Sequence, residues 1–426
     1  MLGILLRTAA LLLLGAAAHG AELHGHGGPV RSIAVTADAE MAITGSFDAR
    51  AIVWSLETGE AREVLLFHDG QVNAVAVLPS GRFATAGADG RVAIWKIGQG
   101  APERILVGHT GPVVALAVSP DGSMLASASW DTSIRIWPLS GGEPRILEGH
   151  DGNVNAVAFL SDGTLASAGY DANVIFWARE TGTEPIRVVL PTPINTLVTA
   201  FGDRLFVGGA DGKVRVLDRS GAIQSELQVS RKPLIALAAS TDGRYLAAAG
   251  INDAILLLDA EKLTPVRNLE TSGTPIWSLA FATDGKTLLA GGADHVVREW
   301  NVETGEHLGA DVGSQTDPMA EFEDDPDAEA FRACVACHTL DPKDGNRAGP
   351  TLHGIFGRRI ASVPGYRYSP AFSRMDIVWT PETVSKLFEL GPNTYTPGTK
   401  MPEQTIGNAQ DRAALIRFLQ RETRVD

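Results

Sequence analysis

Along most of its length the chain alternates apolar and polar positions in runs of four to seven residues. VNAVAVL (72–78), FATAG (83–87) and VAIW (92–95) are examples, and Gly-Asp turns such as PDG (120–122), SDG (161–163) and ADG (88–90) separate them. Period-2 patterning cut by such turns predicts short antiparallel strands. The runs recur in seven units. SFDARAIVW, GADGRVAIW, SWDTSIRIW and GYDANVIFW end at Trp54, Trp95, Trp137 and Trp177, and GADGKVRVL, GINDAILLL and GADHVVREW end at Leu217, Leu258 and Trp300. The spacings are 41, 42, 40, 40, 41 and 42 residues. Four strands per unit at this period, in a series of seven, predict radial packing into a propeller.

Each of the first four units fixes three further positions. His26, His68, His109 and His150 lie 27 or 28 residues before the Trp; Asp48, Asp89, Asp131 and Asp171 lie six before it; Thr44, Thr85, Ser127 and Ser167 precede those acids by four. Strict repetition with Asp and a hydroxyl gives these histidines a structural role rather than metal or acid–base chemistry. The units resemble the WD-repeat family from about Leu23 to Asp311. That likeness implies a buried His, Ser/Thr, Asp and Trp hydrogen-bond chain in each blade, tolerable only when fully satisfied. It also implies a rim on which protein partners dock. In the last three units Val207, Ala248 and Ala290 stand for the hydroxyl and Leu217 and Leu258 for Trp, so apolar packing is expected to substitute. His295 and His307 do not repeat, and a surface position is expected for both.

The ends differ from the middle. MLGILLRTAALLLLGAAAHG places Arg7 before an apolar stretch and then small residues, the layout of a secretory signal peptide. The expectation is export to a periplasm or the exterior, with residues 1–20 removed and no membrane span remaining. An uncleaved anchor is the alternative. From Asp317 to Glu329 seven acids occur without Lys or Arg, which reads as a solvated linker. The expected boundaries are 21–312 for the propeller, 313–326 for the acidic linker and 327–426 for a second domain. In the latter, Asp325-Pro326, Thr380-Pro381 and Asn408 mark helix starts.

Composition sharpens this. Net charge is −14, from 36 basic and 50 acidic side chains. The segment from Asp327 onward holds thirteen basic and eleven acidic side chains, a balance of +2, leaving −16 for the rest. An acidic chain is a poor candidate for holding nucleic acid by bulk charge. Two cysteines among 426 residues cannot build a disulfide framework. Both fall in one run, Cys334-Val-Ala-Cys337-His338, the C-x-x-C-H attachment motif of c-type heme. Two thiols spaced over a helical turn add to the two vinyl groups, and the adjacent imidazole reaches iron. A structural zinc site would need four ligands, and no second pair exists. Met375 and Met401 are the candidates for the opposite axial position. Met401, in the Pro- and Gly-bounded loop TYTPGTKMPEQ, serves no helix core, whereas Met375 in SRMDIVW reads as core.

From about Phe331 to Gln420 the chain resembles class I cytochrome c of the mitochondrial and purple-bacterial type. CVACHTL, AGPTLHGIFGRR, GYRYSPAF, IVWTPET, YTPGTKM and RAALIRFL occur in that family's order. The resemblance implies one covalent heme c with Cys334 and Cys337 as thioether residues and His338 and Met401 as iron ligands. Pro350 would accept the His338 ring proton through its carbonyl. Arg358, Tyr368 and Trp379 would hold the propionates, and Thr399 would sit near the buried heme edge. Phe372 departs from the family's common Asn, and Leu387 or Phe388 from a common Tyr.

The expected fold class is therefore multidomain: an all-β seven-bladed propeller followed by a small all-α cytochrome c fold. The expected function is single-electron transfer between redox protein partners, with no catalytic residue assigned and the propeller as docking scaffold. The alternative is a redox enzyme whose propeller binds substrate or a second cofactor and receives electrons from the cytochrome domain. A sensor with a labile Met401 is a third.

Overall fold

The computed structural model describes residues 22–424, apart from 180–181, 201, 252–253, 272, 309–318, 320–321, 323, 333, 336, 342–348, 365, 367, 369–371, 373, 398, 400 and 402–404. The expected signal segment and most of the acidic stretch lie outside the described residues. No described helix is long and apolar enough to cross a membrane.

Strands β1 (Val30–Val35), β2 (Met41–Ser46), β3 (Arg50–Ser55) and β4 (Ala61–Leu66) form the first antiparallel sheet in chain order. Six more four-stranded sheets follow in the same order, over residues 72–106, 113–147, 154–189, 194–228, 234–269 and 276–308. The propeller thus has seven blades. Middle strands such as MAITGS and RAIVWS are buried almost throughout, because each lies between two neighbouring blades. Outermost strands such as TPVRNL face solvent. Seven of the apolar clusters each join two adjacent blades, including blade seven to blade one, where Leu289 and Val297 pack with Val30 and Trp54. The ring is also strapped by backbone. Leu23 N donates to the Val297 carbonyl at 2.9 Å and accepts in return at 3.2 Å.

Every innermost strand bulges at the same register. The extra residue is Arg31, Asn73, Val114, Asn155, Asn195, Ile235 or Trp277. A bulge re-aims a side chain, and here three amides turn to the next blade. Asn73, Asn155 and Asn195 donate to the carbonyls of Val113, Ile194 and Leu234 at 2.8 to 3.1 Å.

The polar chains of blades one to four form as the spacing predicts. In blade one Trp54 Nε1 donates to Thr44 Oγ1 at 2.8 Å, His26 Nε2 lies 2.7 Å from that hydroxyl, and His26 Nδ1 lies 3.0 Å from Asp48. Blade three repeats this with Trp137, Ser127, His109 and Asp131 at 2.8 to 2.9 Å. Because Asp accepts only, Nδ1 carries the proton, so Nε2 accepts from the hydroxyl and no group is left over. Asp48 also fixes its turn: its Oδ1 accepts from Arg50 N at 2.9 Å across Ala49, whose φ is +63°.

Apolar packing substitutes as expected at Val207, Leu217, Ala248, Leu258 and Ala290, and blades five and seven add an ion pair at the turn acid. Arg215, 2% exposed, pairs with Asp211, and buried Arg298 pairs with Asp294 and Glu22. A cation two residues before the Leu217 or Trp300 position thus meets the turn acid where His is missing. The two unrepeated histidines are not surface residues either. The His307 side chain is 7% exposed, edge-on to Trp300 at 5.3 Å. His295 is half-buried in the turn after Asp294 with φ +70°, a conformation His adopts more readily than most residues.

After the propeller, a 3-10 turn (Ala328–Phe331) precedes helices α1 (Pro381–Leu390), α2 (Pro392–Tyr395) and α3 (Ala409–Glu422). Thr380 caps α1 in a reciprocal box with Thr383, and the Asn408 side chain accepts from Gln410 N to start α3. The expected Asp325-Pro326 helix start is instead this short turn, with Asp327 at its cap. An eighth apolar cluster holds Phe331, Cys334, Val384, Leu387, Leu415 and Phe418. Parts of the acidic stretch belong to it. Met319 is buried there, Phe322 meets Phe418 edge-on at 5.0 Å, and Asp325 and Asp327 pair with Arg417 and Arg421 on α3.

Candidate functional site

The C-terminal cluster does not close on itself. It surrounds a cavity of about 1160 Å³ of empty space, its open mouth included. All nine residues singled out from the sequence line it: Cys334, Cys337, His338, Pro350, Arg358, Tyr368, Trp379, Thr399 and Met401. Val384, Leu387 and Phe388 supply the wall from α1, and Leu415 and Leu419 from α3. Both helices project these residues at i, i+3 and i+4 spacing, so each offers one apolar face. Phe372 is also in the wall. Met375 is half-buried and is not in the wall.

The motif winds tightly. Cys337 N and His338 N both donate to the Cys334 carbonyl, at 3.1 and 3.0 Å. The His338 ring is held from behind, with Nδ1 donating to the Pro350 carbonyl at 2.7 Å. Nδ1 therefore carries the proton, and the Nε2 lone pair is the one available to a Lewis acid. Gly349 backs the ring so closely that a Cβ there would lie 2.4 Å from His338 Cε1. Met401 is fixed by its backbone N donating to Thr399 Oγ1 at 3.0 Å. Arg358 spans two carbonyls, His353 and Thr351, each at 2.8 Å, so its guanidinium braces the loop beside the cavity. The Tyr368 hydroxyl accepts from Val363 N at 3.2 Å.

The described lining is mostly apolar, with Arg50 and Arg358 as its cations. Burial, reinforced by the charge of Cys337, pushes the Cys334 thiol up to about 12, and burial raises Tyr366 and Tyr368. These groups are neutral at pH 7. Among the described residues no group of three or more His, Cys, Asp or Glu side chains gathers at one point. The donor set suits a planar macrocycle that brings its own equatorial nitrogens: one imidazole, one thioether and two thiols. It does not suit a bare ion, which needs four or more protein donors.

Several wall or cradle residues had not been singled out, Gly349, Gly25, Arg50 and Val64 among them. Gly349 stands beside Pro350 in AGPTLHG, and only its contact with His338 gives it away. Gly25, Arg50 and Val64 come from the propeller's first blade and its approach, and no local signal in the sequence marks them.

The WD domain, G-beta repeat family matches residues 19–55, 59–96, 100–138, 141–178 and 263–301. Fold and sequence together define a seven-bladed propeller of WD repeats. The chain is also 44% identical over 91 residues to "Cytochrome c" of Cochliobolus lunatus, covering 21% of this chain and 83% of that protein. "Cytochrome c" of Arabidopsis thaliana is 44% identical over 91 residues, 21% of this chain and 80% of that protein. "Cytochrome c type-1" of Ascaris suum is 46% identical over 91 residues, 21% and 78%. Through these 91 residues the chain belongs to the cytochrome c family.

Proposed function

We propose that residues 327–426 are a class I cytochrome c domain with an all-α fold, holding one heme c, and that the chain carries single electrons. The observation behind this reading is the convergence of nine sequence-marked residues on one apolar cavity, with His338 held by the Pro350 carbonyl at 2.7 Å. The C-x-x-C-H run occurs once in the chain, outside every matched WD repeat, which supports reading the cytochrome likeness at this end.

In this reading Cys334 and Cys337 are the thioether anchors and His338 Nε2 and Met401 Sδ the axial donors. When bound, the heme supplies an iron that cycles between Fe(II) and Fe(III). His338 and Met401 would both hold the iron, which would leave no position open for a substrate and favours transfer over catalysis. Pro350 fixes the His338 tautomer and raises its basicity. Leu387, Phe388, Leu415 and Leu419 keep water away, which limits reorganisation when charge moves. Arg358, Tyr368 and Trp379 form the polar side of the wall that would face the propionates.

The propeller is the docking part, and electrons pass to and from redox protein partners. Exposed Trp130 and Tyr170, 44% and 52% accessible, precede the turn acids of blades three and four and offer aromatic anchors for such a partner. Residues 1–20 direct export, so the protein works in a periplasm or outside the cell.

Spectroscopy on the holoprotein tests this. Acid–acetone extraction should leave the heme on the protein, and one iron should be counted per chain. Met401→Ala should abolish the sulfur-to-iron charge-transfer band; a band that persists unchanged overturns the ligation. Recovery of the mature chain in the cytoplasmic fraction overturns export.

A further inference from the structure

We propose that the propeller itself forms one wall of the heme site, and that Arg50 of its first blade sets the reduction potential. The proposal rests on the heme reading above, and its test separates the two. Gly25, Arg50 and Val64 line the same cavity as Cys334, His338 and Met401. Two further observations tie the parts. Cys337 Sγ lies 3.1 Å from the Gly25 carbonyl, a proximity that thioether formation would leave without its S–H donor, and Cys337 packs against the apolar cluster shared by blades one and seven. The side of the cavity carrying Cys337 is therefore covered by the propeller and withheld from water and from soluble partners.

Arg50 occupies this seam as a desolvated cation. It is 7% exposed, its Nη1 donates to the Asp48 carbonyl at 2.6 Å, and Cys337 and Tyr366 lie near it. Burial pulls its pKa down, yet a guanidinium stays protonated in proteins. Rigid blade geometry fixes where Arg50 sits, since Asp48 Oδ1 holds its backbone N at 2.9 Å.

A fixed positive charge at the wall opposes the extra positive charge of Fe(III) and favours Fe(II). Asp48, whose charge acts on Arg50, offsets part of this field, while its carboxylate also engages His26 and Gly27 N. One unit charge about 12 Å away at an effective dielectric constant of about 20 changes a charging equilibrium about tenfold, which for one electron is 59 mV. Arg50 acts through this field alone. It is a positioning residue for the potential rather than a ligand.

Redox titration of the full-length holoprotein is the test. Arg50→Gln should lower the midpoint potential by up to about tenfold in equilibrium, while heme content and the His/Met spectrum stay unchanged; Arg50→Lys should restore most of the difference. A midpoint unchanged in Arg50→Gln overturns the proposal without touching the heme reading. A natural-sequence protein that binds no heme overturns the heme reading itself. Should Arg50→Gln fail to fold, hydrogen exchange on the natural sequence decides: heme attachment should raise protection at residues 25–28 and 49–52, and equal protection with and without heme refutes the wall.

Discussion

Gly349→Ala is the sharpest probe of the cavity, because one methyl group tests the placement of His338. A Cβ at 349 would lie 2.4 Å from Cε1, 2.6 Å from Nδ1 and 2.8 Å from Nε2 of that ring, against an ordinary contact of 3.4 Å or more. The ring must retreat by about 1 Å, the shortfall at its closest atom. A ring so displaced cannot keep its 2.7 Å bond to Pro350. Overpacking costs about 1–3 kcal/mol and the lost hydrogen bond about 1 kcal/mol. Loss of such an outer partner weakens metal binding about 10–100-fold. Heme per chain, read by heme-stained gel against total protein, should fall sharply in cells that load the natural protein fully. The remaining holoprotein should show a perturbed axial spectrum. The melting of the propeller should not change, since Gly349 lies outside it. Gly407→Ala is the control: a Cβ there meets nothing within 4 Å. If Gly349→Ala loads heme and absorbs light like that control, His338 does not stand where the structure puts it.

The propeller makes its own predictions. Ser127→Ala leaves Trp137 Nε1 and His109 Nε2 without their shared hydroxyl, and should cost about 1–3 kcal/mol by urea unfolding; a change under about 0.5 kcal/mol contradicts the network. Stability should also fall as pH drops below about 6.5. Burial lowers the folded pKa of His109 and His150, outweighing the pull of Asp131 and Asp171. The unfolded chain then binds protons that the folded one refuses, and linkage favours unfolding. A second loss should begin below about pH 3.8. Burial works to raise the Asp131 carboxyl, but bonds from Ser133, Thr110 N and His109 hold it at about 2, so unfolded carboxylates protonate first. Unfolding midpoints at fixed ionic strength check both windows. A midpoint flat from pH 7 to 5 contradicts the histidine part, and His150→Gln should shrink the slope there.

Legibility in the sequence followed the range of the forces involved. The repeat period, the turn acids and the His–hydroxyl–Trp chains repeat within a blade at fixed offsets, so each is written locally several times over. The cytochrome-like site is readable for a related reason. Cys334, Cys337 and His338 act through one turn, and Pro350 and Met401 stand in short strings whose order is itself informative. Arg215 and Arg298 escaped notice because a long cation can reach a turn acid from two positions beyond the expected residue. Periodicity reports where apolar side chains fall and is blind to such a swap. His307 was misplaced for a similar reason: an unrepeated polar residue reads as exposed until a Trp is found edge-on against it.

The seam between the two parts lies beyond any local rule. Gly25 and Cys337 are separated by 312 residues, and their meeting depends on how a finished propeller presents its first blade. Arg50 sits in a hairpin that the WD pattern explains completely through Asp48, so nothing in its own repeat calls for a second role. Its place in the cavity wall is visible only once the C-terminal segment is folded against blade one. Covalent linkage makes that meeting intramolecular. The wall needs no affinity of its own, because the chain supplies an effective concentration that separate proteins would have to match by binding. A contact made this way can be small, three residues on one side, and still shape the field inside the cavity. Selection acting on the potential could therefore tune blade one without altering any residue that touches iron.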